Sequence, residues 1–187
     1  MGQAVRDAFD EMIYERLNLL IVGATSAGKS GFFGAYLRRL TALRPDARIV
    51  TIEDTQELSC DARSYLPLHT NGIMDQRALL RTGMRARPDA LFVGEVRGPE
   101  AIDLVMSLNT GHPGGSTVHG PSCVGGLTRV WQLCRLGGED TIGPEMIADA
   151  FQYVALMRRL ADGSRVIASL EKTCGFENKR FQLTPVT

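Results

Sequence analysis

No run in these 187 residues approaches the roughly 18 consecutive apolar positions of a membrane-spanning helix. The most apolar short run, Leu17 to Val22, is strand-sized and ends in glycine. The first residues, Met1 to Arg6, lack the apolar stretch of a secretory signal, so a cytoplasmic location is expected. The four cysteines, Cys60, Cys123, Cys134 and Cys174, include no Cys-x-x-Cys pair. Their scatter excludes a four-thiolate zinc site, and their low density excludes a disulfide scaffold. Charge of neither sign dominates: Lys and Arg total 21, and so do Asp and Glu. The basic surplus of a dedicated nucleic-acid binder is therefore missing, and no basic stripe interleaved with aromatics suggests a direct DNA translocase. No basic amphipathic helix is long enough for an anchor, so any membrane contact is expected to be peripheral and carried by protein partners. What is present is an apolar fraction of 44%, enough for a globular core and for about one domain.

The chain alternates between strand and helix patterns. Arg6 to Leu17 places Ala8, Phe9, Met12 and Ile13 on one helical face. Leu19 to Val22 is a continuous apolar run, as a strand buried on both faces requires. Gly31 to Leu43 reads as a helix that stops before Pro45, and Arg48 to Ile52 as a second strand. Tyr65 to His69 is a short strand in which Pro67 suggests an edge or a bulge. Helices follow at Asp75 to Met84, from Pro99 through Leu108 with Gly111 as the stop, at Val124 to Leu136 and at Pro144 to Phe151. Strands are expected at Ala90 to Val93 and Ser116 to Val118. Val154 to Leu160 and Arg165 to Leu170 flank Asp162-Gly163 as a hairpin, and Phe181 to Pro185 adds one more strand. The fold class is α/β, with a mainly parallel sheet and a C-terminal antiparallel hairpin.

Gly23-Ala24-Thr25-Ser26-Ala27-Gly28-Lys29-Ser30 matches G-x-x-x-x-G-K-[ST] between a buried strand and a helix. Such a loop turns its backbone N–H groups inward as an anion nest at a helix N-terminus. Lys29 supplies a mobile positive charge for the β- and γ-phosphates, Ser30 a hydroxyl for Mg²⁺, and Gly28 room for close backbone approach. Ligands of open α/β sheets sit at the carboxyl ends of the strands. Two acidic segments fall there: Glu53-Asp54-Thr55-Gln56-Glu57 and Gly94-Glu95-Val96-Arg97. Hydrolysis of a triphosphate needs such groups to hold Mg²⁺, directly or through water, and to orient the attacking water. Glu95 is the candidate for polarising water and supporting the metal through it, with Glu53 and Glu57 positioning water and metal. Asp89 opens its strand, at the wrong edge for a metal, and is expected to be structural. His112, His119 and Cys123 match no common zinc spacing. A neutral imidazole N–H can instead report a phosphate oxygen.

The segments Ile52 to Leu58, Arg87 to Gly98 and Thr110 to His119 closely resemble those of the secretion traffic ATPases, nearest the conjugative-transfer and type IV secretion branch. The resemblance covers nearly the whole chain, including Leu127-Thr128-Arg129 and the final hairpin. It implies a RecA-like P-loop core that binds ATP and Mg²⁺ and hydrolyses ATP. Gly23 to Ser30 would be the Walker A loop, and Glu53 to Glu57 an acidic "Asp box". Gly94 and Glu95 would close an atypical Walker B. His112 to His119 would be a "His box" with His119 as γ-phosphate sensor. Arg81, Arg85 and Arg97 lie in segments that carry functional arginines, and Arg97 joins the catalytic set. The implied partners are other copies in a homo-hexamer and inner-membrane secretion or conjugation machinery at the cytoplasmic face. Residues 1–187 would be the ATPase domain alone, without the family's N-terminal domain. That departure leaves a nucleotide-binding interaction module with little turnover as the alternative, beside a type II secretion or pilus ATPase. Two details depart from the family pattern. Ala24 and Ser26 stand where relatives often have glycine. The interval from His112 to His119 is one residue short, and a one-residue slip exchanges the faces of a strand.

Overall fold

The computed structural model describes residues 2–186. Its elements run α1 (Gln3–Tyr14), β1 (Leu19–Gly23), α2 (Lys29–Leu43), β2 (Arg48–Glu53), β3 (Ser64–His69), α3 (Gln76–Arg85), β4 (Ala90–Val93), α4 (Glu100–Asn109), β5 (Gly114–Val118), α5 (Cys123–Leu136), α6 (Pro144–Ala150), β6 (Tyr153–Arg159), β7 (Arg165–Glu177) and β8 (Arg180–Pro185). All the strands form one sheet in the order β3-β2-β4-β5-β1-β6-β7-β8. The pairings from β3 through β6 are parallel, and β7 and β8 add antiparallel strands at one side. The α/β expectation holds, and of the edge or bulge that Pro67 suggests, β3 is an edge strand.

Strand alternation splits the core in two. Leu19 and Ile21 of β1 point into a cluster with α1 and α2, built around Phe9, Phe33, Tyr36 and Leu37. Leu20 and Val22 point into a second cluster with α3 to α6, built around Leu80, Leu104, Val130 and Ile147. That two-sided burial is why β1 reads as an unbroken apolar run.

Several boundaries differ from the sequence pattern for local reasons. Helix α1 ends at Tyr14, short of Leu17, because Arg16 turns left-handed at φ +57 and the Leu17 N–H reaches back to the Met12 carbonyl. That is the six-to-one bond of a Schellman stop. Strand β5 starts at Gly114, two residues before the pattern suggests. A Cβ on Gly114 would lie 1.7 Å from the Leu91 carbonyl oxygen, and one on Gly115 2.2 Å from that of Leu19. These glycines let β5 slot between β4 and β1. Strand β7 runs on to Glu177, and a tight turn with Asn178 and Lys179 both at positive φ folds it onto β8. The turn at Asp162-Gly163 has a left-handed residue only at Gly163 (φ +84), whose N–H donates to the Leu160 carbonyl.

The strand order gathers the acidic segments and the glycine-rich loop. β2, β4, β5 and β1 are parallel neighbours, so their carboxyl ends share one edge of the sheet. Glu53 closes β2, Glu95 follows β4, His119 follows β5, and Gly23 closes β1.

Candidate active site

A cleft of about 820 Å³ opens at that edge, lined by the loop from Thr25 to Gly31 and by Glu53, Asp54, Glu57, Glu95, Arg97 and His119. The loop leaves β1 at Gly23 and enters α2 at Lys29, with Ser26 at φ +61 and Gly28 at φ +94. Its Ala27 N–H closes a turn on the Ala24 carbonyl at 3.2 Å. The N–H groups of the first helical turn have no intrahelical acceptor, and Lys29 to Phe32 line the cleft.

Lys29 is only 8% exposed, and its Nζ donates to the carbonyls of Gly23 (3.2 Å) and Ala24 (3.3 Å). Burial pushes its pKa below the ordinary lysine value, and the Glu95 carboxylate, 3.5 Å away, pulls it back up. Glu95 Oε1 also lies 3.0 Å from His119 Nε2, while Arg97 Nε donates to Glu95 Oε2 at 2.5 Å. His119 Nδ1 stands 3.3 Å from Lys29 Nζ. The Lys29 ammonium can only donate to Nδ1, whereas the Gly23 carbonyl, also 3.3 Å from Nδ1, can only accept from it, so the two contacts call for different ring tautomers. Lys29, Glu95 and His119 thus form one connected set.

Glu57 makes the other contact to the loop: Ser30 Oγ donates to its Oε2 at 2.5 Å. Glu53 is 3% exposed and does not reach the loop. Its Oε1 accepts the N–H groups of Glu57 and Leu58, both at 3.1 Å, so it holds the segment that carries Glu57. Burial raises the Glu53 pKa against the opposing pull of those two N–H groups. A Cβ on Gly94 would stand 2.9 Å from Glu53 Cγ, so glycine there makes room for the buried carboxyl.

Of the arginines singled out from sequence, Arg97 lines the cleft, whereas Arg81 is paired with Asp103 at 3.1 Å alongside Arg77. Arg85 sits in the last turn of α3. His119 reaches the cleft despite the short interval from His112, since β5 ends at Val118 and His119 follows in the loop. His112 lies at the opposite end of β5, so the two histidines do not meet. Asp89 accepts the Arg48 N–H and pairs with Arg16 and Arg44, away from the cleft as expected.

Two side chains escape the sequence reading. Buried Glu100 opens α4 and accepts the N–H groups of Arg97 (2.6 Å) and Gly98 (2.7 Å), fixing the loop behind Glu95. An acid in the first turn after Pro99 was the visible signal. Arg165, at the start of β7, reaches the phosphate-type loop itself: its Nε donates to the Ser26 carbonyl at 3.2 Å. No local pattern announces it, because only the strand order brings residue 165 beside residue 26.

The donor set suits a magnesium triphosphate. Ser30 and Glu57 offer hard oxygens of the kind Mg²⁺ takes, and Lys29 with the helix N–H groups offers donors for phosphate. The cleft is lined by the cations Lys29, Arg97 and Arg165 and by the acids Glu53, Asp54, Glu57 and Glu95. A bare polyanion would meet little net attraction there, and a divalent cation held by Ser30 and Glu57 would supply it. Among the described residues, no group of three or more His, Cys, Asp or Glu forms a metal cage.

Comparison with known proteins gives a consistent result. The family model described as "Type II/IV secretion system protein" matches residues 1–184. The conjugal transfer protein TrbB of Rhizobium radiobacter is 35% identical over 185 residues, covering 97% of this chain and 56% of that protein. Protein VirB11 of Agrobacterium fabrum is 30% identical over 159 residues, covering 79% of this chain and 45% of that one. Among solved structures, the VirB11 ATPase of the Brucella suis type IV secretion system, in complex with sulphate, superposes with a TM-score of 0.79. It is 20% identical and matches over 90% of this chain and 52% of its own. The pilus retraction motor PilT with bound ADP gives 0.70 at 20% identity, over 100% of this chain and 54% of its own. At such identities the two structures speak for the fold. The chain spans about half the length of the curated relatives it matches.

Proposed function

The chain belongs to the type II/IV secretion system protein family, and from that premise we propose that it is the ATP-hydrolysing domain of a motor subunit for conjugative transfer or type IV secretion. The observation that carries the reading is the junction of Lys29, Glu95 and His119 beside the Ser30–Glu57 pair, at the mouth of a strand–loop–helix phosphate nest. The names of the relatives support the biological setting: one is a conjugal transfer protein, another a VirB11 protein. The wider assembly we propose is a homo-hexameric ring that works with inner-membrane secretion machinery at the cytoplasmic face, any membrane contact being peripheral.

The geometry suggests how binding and chemistry are coupled. Lys29 is held by two carbonyls and Glu95, so a triphosphate entering the nest takes over its Nζ. Glu95 then loses one cation and keeps His119 and Arg97, and its carboxylate would accept a proton from water. Mg²⁺, held through Ser30 with Glu57 and Glu95 acting through water, would neutralise charge on the phosphate oxygens. Water attacks the γ-phosphorus, the bond to the bridging oxygen breaks, and ADP and phosphate leave. His119 Nε2, 3.0 Å from Glu95 Oε1, would exchange that neighbour for a γ-phosphate oxygen. His119 would thereby distinguish the triphosphate from the diphosphate. The roles of Lys29 and Glu95 separate in two variants. Lys29→Ala is expected to abolish measurable ATP binding by titration calorimetry. Glu95→Gln is expected to keep binding within a few-fold and to slow magnesium-dependent phosphate release by about a hundredfold or more. Wild-type turnover in purified Glu95→Gln would overturn the role given to Glu95. Binding of ATP by the wild type without phosphate release would support the interaction-module reading instead.

A further inference from the structure

The left-handed backbone of the phosphate loop has a keeper outside the loop. Ser26 has φ +61, a conformation that glycine adopts freely and serine does not. Its carbonyl oxygen accepts the Nε–H of Arg165 at 3.2 Å. The stem of the same arginine lies on the loop's other left-handed residue, Gly28: a Cβ built there would stand 2.6 Å from Arg165 Cδ and 3.2 Å from its Cβ. The backbone of Arg165 is held in register with the loop's strand. It pairs with Arg159 at the hairpin end of β6, and Met157 of β6 pairs with Gly23, the residue from which the loop springs. One side chain therefore touches both positive-φ residues of the loop from a strand rigidly registered to the loop's own strand.

We infer that Arg165 is a positioning residue for the phosphate nest: it holds the Ser26 peptide so that the N–H groups from Gly28 into α2 converge on one anion. The inference rests on the reading of Gly23 to Ser30 as a nucleotide-phosphate loop. It assigns to the C-terminal hairpin a part in ligand binding that the loop motif alone does not contain. It also accounts for serine where glycine would be free of strain, since an external hydrogen bond supplies what the side chain's backbone preference withholds. The Nε–H is bonded to a carbonyl, and recovery of affinity by Ser26→Gly separates this role from a direct phosphate contact by the rest of the guanidinium.

The test compares the wild type, Arg165→Met, Ser26→Gly and the double variant. Methionine keeps an unbranched stem against Gly28 and removes the Nε–H, and unfolding midpoints verify that each variant is folded. Two probes are titrated by calorimetry with Mg²⁺: ADP, and inorganic tripolyphosphate, which has neither base nor ribose. Arg165→Met is expected to weaken both probes on the order of tenfold. In ATP turnover its loss falls on KM, with kcat within about twofold. Ser26→Gly, whose backbone takes the left-handed conformation unaided, is expected to restore most of the lost affinity in the double variant. Three outcomes overturn the inference while leaving the nucleotide reading intact: unchanged affinity in Arg165→Met, a loss confined to ADP, or a double variant as weak as Arg165→Met. Failure of the wild type to bind either probe would overturn both.

Discussion

Glu53 shows how a buried carboxyl can serve a site through the backbone it holds. Its Oε1 ties down the N–H groups of Glu57 and Leu58, and burial raises its pKa in spite of those bonds. The fold therefore favours the protonated form. The stability this contributes is full below the ordinary carboxylate range and is lost as pH rises through the raised native-state value. Gln imitates the protonated acid and keeps one oxygen for the two N–H groups. Glu53→Gln is thus expected to unfold at higher urea concentration than the wild type at neutral pH, with the gap closing as pH falls into the carboxylate range. A variant less stable than wild type at neutral pH would mean that the bonds to the ionised carboxylate outweigh its burial. At this scale the sequence reading reaches the residues that motif chemistry demands: Lys29 and Ser30 in the loop, Glu57, Glu95 and His119 at strand ends. It gives Glu53 the positioning of water and metal; in the structure Glu53 lines the cleft and also holds the Glu57 segment. Glu100 and Arg165 fall outside it because neither belongs to a local pattern, one acting on backbone N–H groups and the other across the sheet.

Helix α2 is an element held by packing more than by its own composition. Its buried face, Phe32, Phe33, Tyr36, Leu37 and Leu40, engages Phe9 of α1 and Phe92 of β4 in edge-to-face ring contacts with centroids 5.2 to 6.0 Å apart. Gly34 contributes nothing to that packing: a Cβ there would meet only the Arg38 side chain, at 3.5 Å. Glycine inside a helix costs about 1 kcal/mol relative to alanine. Gly34→Ala is therefore expected to stabilise the chain by up to about 1 kcal/mol, a rise of roughly 2–4 °C in melting temperature for a domain of this size. Gly114→Ala, by contrast, drives a Cβ into the Leu91 carbonyl. This contrast explains where element prediction from sequence succeeds and fails. Periodicity and apolar runs find the elements themselves, since burial of one or both faces writes itself into the chain. They misplace the start of β5, because glycine signals a turn in one context and close strand insertion in another. They also miss the Schellman stop at Arg16, because a non-glycine in the left-handed region leaves no compositional mark.

The molecule as a whole is one sheet with a core on each face, and the C-terminal strands take part in both. Val154 and Leu156 of β6 with Phe181 of β8 enter the core under α3 to α6. Tyr153, Ala155 and Met157 of β6 with Leu170 of β7 enter the core under α1 and α2. No face of the sheet can lose its helices without exposing residues that the antiparallel strands also cover, so a single cooperative transition is expected. The cleft spans the same joint: it draws on the ends of β1 and β2, the loops after β4 and β5, and Arg165 at the start of β7. A ligand seated there binds only when all of those elements are in place, and its binding free energy is added to the stability of the entire sheet. At a hundred times its dissociation constant that amounts to about 2.7 kcal/mol. With roughly 2–4 °C per kcal/mol at this chain length, saturating Mg²⁺ and ADP should raise the melting temperature by roughly 5–10 °C. The calorimetric trace should move as one peak, and Lys29→Ala should remove the shift without lowering the unliganded melting temperature by a comparable amount. Two separable peaks, only one of which responds to ADP, would show instead that the strands beyond β1 unfold on their own and that the site is completed by a part of the fold it does not depend on.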